Sequence, residues 1–194
     1  YDAEDRRVRR SVDGDPVAYL VEPGALNGSG VSQVLAETDT AAGTVLAENT
    51  YDFRLLARLT GGERRYLHRD ASENIRLLSD DSGTVTDRYG YDAFGAGVAS
   101  QGVSNNPYRF AGERADPVAG LVHLRARDYE PLAGRFLGRD PFAGVLDQPH
   151  SRHRYLYARN NPLSFFDPTG RFTLANLSAT VGLTQVITNI APQV

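Results

Sequence analysis

The chain has 194 residues and 41% hydrophobic content, enough for a buried core and too apolar for wholesale disorder. Its 21 basic and 24 acidic residues leave a net charge of −3, which gives no general attraction to nucleic acid or anionic lipid. No apolar run approaches the roughly 20 residues that span a bilayer, residues 1–20 do not read as a signal peptide, and the absence of cysteine excludes disulfides, thiolate metal sites and cysteine nucleophiles.

Every basic residue is Arg, and no Met occurs, so Tyr1 is not a translational start and the sequence reads as a piece of a longer protein. Residues 1–110 carry a weak repeat. Gly43-Thr44-Val45 recurs as Gly83-Thr84-Val85 and Tyr51-Asp52 as Tyr91-Asp92, both at a shift of 40. In chain order, Val17–Val21, Val34–Ala36, Tyr51–Leu59, Ile75–Leu78 and Thr84–Tyr91 read as strands. Asp13-Gly14, Gly61-Gly62 and Asp80–Gly83 read as their turns. Helical periodicity is missing from residues 1–150. The expectation is a mainly β fold of successive antiparallel hairpins, each completing its buried surface against the next. In the tail, apolar residues from Phe172 to Ile190 fall mostly three or four apart, which fits a short amphipathic helix or an apolar extension of the core.

Residues 89–170 are more specific. Tyr89-Gly90-Tyr91-Asp92-Ala93-Phe94-Gly95 is followed by Pro107-Tyr108-Arg109-Phe110-Ala111-Gly112-Glu113. Then come Gly120-Leu121, the run Ala126-Arg127-Asp128-Tyr129-Glu130-Pro131, and Gly134-Arg135-Phe136-Leu137-Gly138-Arg139-Asp140-Pro141. The series ends with Tyr155-Leu156-Tyr157-Ala158-Arg159-Asn160-Asn161-Pro162 and Phe165-Phe166-Asp167-Pro168-Thr169-Gly170. In this order the motifs resemble the C-terminal core domain of the RHS/YD-repeat family. The resemblance covers about residues 85–170, with residues 1–84 as divergent YD repeats and 171–194 as a tail that begins a variable or toxin region.

The resemblance implies hairpins that form part of a curved β shell enclosing a C-terminal toxin. It also implies an inward-spiralling core that cuts its own chain by aspartic-type chemistry. The implied setting is a larger bacterial protein, secreted or at the cell surface, of the kind used in interbacterial competition. Its implied partners are its own toxin segment, the remaining repeats, a secretion apparatus and an immunity protein. No cofactor, metal, nucleic acid or membrane span is expected.

A carboxylate pair can hydrolyse a peptide because two carboxyls in one site cannot both ionise freely; one then acts as base and its partner as acid. A nearby Arg can hold one of them ionised or steady the oxyanion. The family pattern falls on Arg127, on Asp140 13 residues later and on Asp167, with the scissile bond at Arg171–Phe172. The structural motif residues are Tyr91, Asp92, Gly95, Gly134, Arg135, Phe136, Asn160, Asn161, Pro162, Pro168 and Gly170.

Three features depart from the pattern. An extra residue precedes the glycine after Asp140-Pro141, and Asp140 and Asp167 are 27 apart, a few more than usual, which places an insertion around Asp147–His150. Arg171 stands where the family has Leu and would fit an apolar pocket poorly. The competing reading takes both Asp-Pro pairs as turn formers alone. The chain is then a non-catalytic shell, adhesion or carbohydrate-binding module. His150 and His153 lack a third ligand at a recognisable spacing and read as a solvated loop, and although Arg152, Arg154 and Arg159 with Tyr155 and Tyr157 are similar to a basic–aromatic strip for nucleic acid, the family resemblance implies that both tyrosines lie in the core.

Overall fold

Asx-and-glycine turns at short intervals allow little besides hairpins, and hairpins dominate the computed structural model, which describes residues 7–12, 15–22, 32–52, 54–144, 149–167, 169–171 and 174–175. Nine strands pair in sequence order in one sheet. They are β1 (Arg9–Val12), β2 (Asp15–Glu22), β3 (Gln33–Asp39), β4 (Val45–Tyr51), β5 (Leu55–Thr60), β6 (Glu63–Arg69), β7 (Ile75–Ser79), β8 (Val85–Tyr91) and β9 (Gly97–Gln101). A second sheet holds β10 (Arg114–Asp116), β11 (Leu121–Leu124), β12 (Arg127–Glu130) and β13 (Arg135–Phe136), and a third pairs β14 (Phe165–Phe166) with β15 (Leu174–Ala175). Helix among the described residues is confined to 3₁₀ turns at Phe110–Gly112, Pro149–Arg152 and Ala158–Asn160. None is long and apolar enough to cross a membrane.

The 40-residue repeat has a local cause. Asp39 and Asp80 each close a hairpin by accepting backbone N–H bonds on Oδ1, from Ala41 at 2.7 Å and from Ser82 at 2.9 Å. Gly43 and Gly83 then take φ of +67° and +82°, where a side chain would be strained, and Val45 and Val85 open the next strand. The Gly61-Gly62 turn joins β5 to β6, with Thr60 opposite Glu63. Asp13-Gly14 lies outside the described residues.

Two sequence expectations need correction. Tyr51–Leu59 is not one strand: Asp52 turns the chain by accepting the Arg54 N–H at 2.7 Å, so β4 ends at Tyr51 and β5 begins at Leu55. Leu174 and Ala175 are not helical; they pair with Phe166 and Phe165 as β15. A strand partner outweighs a helical pattern weakened by threonines. The rest of the tail, from residue 176, lies outside the described residues, as do Phe172 and Pro168.

By internal contacts the chain divides into two units interleaved in sequence, one taking in residues 1–68, 75–90 and 99–106, the other 69–74, 91–98 and 107–194. In the first, a buried ion pair joins Arg58 on β5 to Glu37 on β3 at 2.6 Å, and Asn49 on the intervening β4 accepts from the same guanidinium at 3.1 Å. The second unit builds its core from aromatics: Phe110, Tyr129, Phe136 and Tyr157, with Val122, Leu124 and Ala158. Tyr108 and Phe110 are buried, whereas Tyr91 and Phe94 are half-buried. Tyr129 donates its hydroxyl to the Phe94 carbonyl at 2.7 Å, tying the Tyr91–Gly95 segment to β12.

Candidate functional site

The site lies within the second unit and starts from a tight hairpin. Leu124 pairs with Arg127, leaving Arg125 and Ala126 as a two-residue turn between β11 and β12. Alternation along β12 then buries Arg127 and Tyr129 on one face. Arg127 is only 7% exposed, so each of its donors needs a partner. Nη2 meets Asp140 Oδ2 at 2.9 Å and Asp167 Oδ2 at 3.2 Å, Nη1 donates to the Arg154 carbonyl at 3.3 Å, and Nε donates to the Gly170 carbonyl. The Arg127 Cζ lies over the Phe136 ring, 3.6 Å from the centroid.

The three residues singled out from the sequence therefore meet around one guanidinium. Both Oδ2 atoms touch the same nitrogen, so they lie within about two hydrogen-bond lengths of each other. The turn-forming reading holds at the same time, because each carboxylate divides its work. Asp140 Oδ1 accepts the Phe142 N–H at 2.8 Å, and Asp167 Oδ1 accepts those of Thr169 and Arg171, both at 3.2 Å. One oxygen shapes the local turn and the other faces Arg127.

Burial pushes the Arg127 pKa down, and the charges of Asp140 and Asp167 oppose that shift. One cation faces two carboxyls, so the cluster is neutral when it holds a single proton. The Tyr157 hydroxyl accepts a hydrogen bond from the Asp167 backbone amide; burial, and then the Asp167 charge, push that phenol well above its usual value.

The Asp167–Arg171 loop is seated on the β11–β12 turn. Ala126 N–H donates to the Thr169 carbonyl at 3.3 Å. Gly170 has φ +69°, and a Cβ there would overlap the Leu124 carbonyl, so only glycine lets the loop approach. The peptide unit between Gly170 and Arg171 is held from both sides, its carbonyl by Arg127 and its N–H by Asp167. The Arg171 side chain is exposed, so it does not occupy an apolar pocket.

The remaining motif residues shape the surroundings. Asp92 Oδ1 accepts from Phe94 and Ala96, both at 2.9 Å, in a loop completed by Gly95. Gly134 closes the β12–β13 turn by donating to Glu130 at 2.9 Å, and Arg135, exposed, bridges to Leu156. Asn160 donates to the Tyr157 carbonyl at 2.8 Å within a left-handed turn, Asn161 caps Ser164 at 3.3 Å, and Pro162 follows half-buried. Tyr157 is 2% exposed in the core but Tyr155 is 41% exposed, so the expectation of both tyrosines in the core holds only for the first. Arg152 and His153 are exposed, and no cluster of potential metal ligands occurs among the described residues. Sequence reasoning missed the Arg154 carbonyl and the Tyr157 hydroxyl. A backbone acceptor leaves no signal in residue type; the tyrosine had one in the Tyr155-Leu156-Tyr157 run.

Sequential antiparallel hairpins, together with an arginine–dicarboxylate cluster, define a protein of the repeat-built β class. The chain belongs to the RHS/YD-repeat family, since the family profile described as Teneurin YD-shell matches residues 1–163. It is 35% identical over 177 residues to the tRNA3(Ser)-specific nuclease WapA of Bacillus spizizenii, covering 89% of this chain and 7% of that protein. It is 34% identical over 111 residues to Toxin protein Tse5 of Pseudomonas aeruginosa, covering 56% of this chain and 8% of that one. Among solved structures it resembles TcdB2-TccC3-Cdc42, with a TM-score of 0.63 and 19% identity over 88% of this chain and 9% of that one. The Photorhabdus luminescens Tc holotoxin pore gives a TM-score of 0.64 at 18% identity, over 88% of this chain and 8% of that one. The chain thus spans less than a tenth of the length of these relatives.

Proposed function

We propose that this chain is the C-terminal core of a toxin-associated β shell and that it cuts itself once, after Arg171, to free the segment that follows. The observation that carries the reading is the meeting of Arg127, Asp140 and Asp167 beside the Gly170–Arg171 backbone. The chemistry follows from the charge count. Water attacks the Arg171 carbonyl carbon as one carboxylate takes its proton. The other carboxyl gives its proton to the Phe172 nitrogen as the C–N bond breaks, leaving a carboxylic acid on Arg171 and an amine on Phe172. Arg127 holds the approach segment through the Gly170 carbonyl and keeps both carboxyls aimed inward.

The toxin names of the relatives support a cargo of that class, carried beyond the core and enclosed by the remaining repeats. Secretion, and use against competing bacteria, belong to the same reading. So does the division into repeats over 1–84, core over 85–170 and tail over 171–194. Intact mass of the protein expressed within its complete shell is the test. Wild type should separate after Arg171, while Asp140→Asn and Asp167→Asn, which keep side-chain shape but neither take nor give the proton, should remain whole. Uncut wild type would defeat the reading.

A second reading, an inert structural core, is favoured by one observation. Each Oδ1 is already engaged in its own turn, a role that needs no catalysis. The same mass measurement separates the two.

A further inference from the structure

Arg127 has its edges occupied by Asp140, Asp167, Arg154 and Gly170, but one contact belongs to a residue with no polar atom. Its Cζ lies 3.6 Å from the centroid of the Phe136 ring, close enough for direct attraction between a cation and the negative face of the ring. The register explains why. Tyr129 is directly opposite Phe136 across β12 and β13, so Arg127, two residues before Tyr129, is its diagonal neighbour on the same face. The position opposite Arg127 falls to Gly138, where even an added Cβ would make only ordinary contact with the arginine stem, at 3.6 Å. The ring itself is fixed edge-on by Tyr129 at 5.7 Å and Tyr157 at 5.9 Å. Phe136 is 3% exposed, so water does not compete for the guanidinium face.

Resting on the self-cleavage reading above, we infer that Phe136 is a positioning residue of that site: its ring face holds the Arg127 guanidinium flat, so that one nitrogen serves both carboxyls and Nε reaches the Gly170 carbonyl. A lysine or a tilted arginine cannot contact two carboxyls and a carbonyl in that geometry. The aromatic floor compensates part of the cost of burying the cation without adding a hydrogen-bond acceptor that would divert it from the carboxyls.

The test replaces Phe136 in the full chain by mono-, di- and trifluorinated phenylalanine through nonsense suppression. Fluorine drains the ring face of negative potential while scarcely changing its shape, so packing alone predicts a flat series. The expected result is a stepwise slowing of self-cleavage, reaching about tenfold for the trifluorinated ring. A flat series overturns the inference. A second measurement does not depend on cleavage. The urea midpoint of the Asp140→Asn chain should fall with fluorine number, and that dependence should vanish when Arg127→Met is added. A fluorine dependence that persists without Arg127 overturns the inference as well. If wild type proves uncut, the self-cleavage reading fails alone, and the unfolding cycle still decides whether the ring and the cation are coupled.

Discussion

Replacing Arg127 by Met should destabilise the protein by about 3–5 kcal/mol, the cost of breaking a buried ion pair from one side. The structure supplies the terms. The Arg127, Asp140 and Asp167 side chains are 6%, 16% and 1% exposed, so solvent does little to screen what the substitution leaves behind. Methionine fills much of the arginine volume, so cavity formation is a minor part of the loss. The main part is electrostatic: two carboxyls remain within about two hydrogen-bond lengths with no cation between them. The Gly170 carbonyl loses its Arg127 donor at the same time, and the Arg154 carbonyl keeps only the Asp140 N–H.

For a chain of this size such a loss lowers the melting temperature by roughly 6–20 °C. Circular dichroism on heating, with urea titration at neutral pH, measures it. Adding Asp140→Asn and Asp167→Asn to the Met variant should recover most of the loss, since neutral amides do not repel. A loss below about 1 kcal/mol, the level of an exposed pair, would refute the claim that the cluster is a buried charge network.

Other sites give further expected outcomes. Gly170→Ala should cost at least about 1–2 kcal/mol from its left-handed backbone alone, and more from overlap with the Leu124 carbonyl; self-cleavage should stop, as intact mass would register. Burial raises the Glu113 pKa above its ordinary 4.5 against the opposing charge of Arg125. The folded state therefore holds a proton that the unfolded chain releases, and this residue's contribution to stability should fall as pH rises above 4.5, a slope that Glu113→Gln removes in urea titrations across pH. At Asp87, burial acts to raise the pKa, but hydrogen bonds from Thr86 and Ser104 prevail and lower it below 3.8. Its contribution is present above 3.8, is lost as pH falls through the lowered folded value, and should disappear in Asp87→Asn. Arg171→Leu should leave the rate of self-cleavage within about twofold, because the side chain is exposed; a large acceleration would mean that an apolar pocket forms after all.

The hairpins were legible because their signals are local. An Asp followed three or four residues later by Gly states the turn, and the turn sets the next strand, as at Asp39–Gly43 and Asp80–Gly83. What failed to show was anything decided by a distant partner. The break at Asp52 is the exception, a local side chain-to-backbone bond to Arg54 that the strand-like run from Tyr51 to Leu59 did not announce. The extended Leu174–Ala175 depends on finding Phe165 and Phe166, although its own pattern leans helical. The site divides in the same way. Arg127, Asp140 and Asp167 could be named from the family's motifs, but the way each carboxylate shares its two oxygens could not. Nor could Phe136 be read as more than a motif position, since its relation to Arg127 exists only once β12 and β13 are in register.

The unusual separation of the two aspartates also has a structural answer. Asp140 and Asp167 are 27 residues apart, which in an extended chain would place them far outside contact. The excursion after Asp140 is closed almost where it opens: Asp140 donates its backbone N–H to the Arg154 carbonyl at 2.9 Å, and Arg127 donates to that same carbonyl. Residues added between positions 141 and 153 therefore enlarge a loop whose two ends are already joined, and doubling the length of such a loop costs only about 0.6 kcal/mol. The path that sets the distance between the carboxyls runs from Asp140 to Arg154 across one hydrogen bond, then through Tyr157 and its left-handed turn to Asp167. Deleting residues from the excursion between positions 141 and 153 should therefore leave the Arg127 cluster and its chemistry intact. Moving Asp167 by one residue along the chain should abolish both, because that stretch is the one held in register by Tyr157, Asn161 and Gly170.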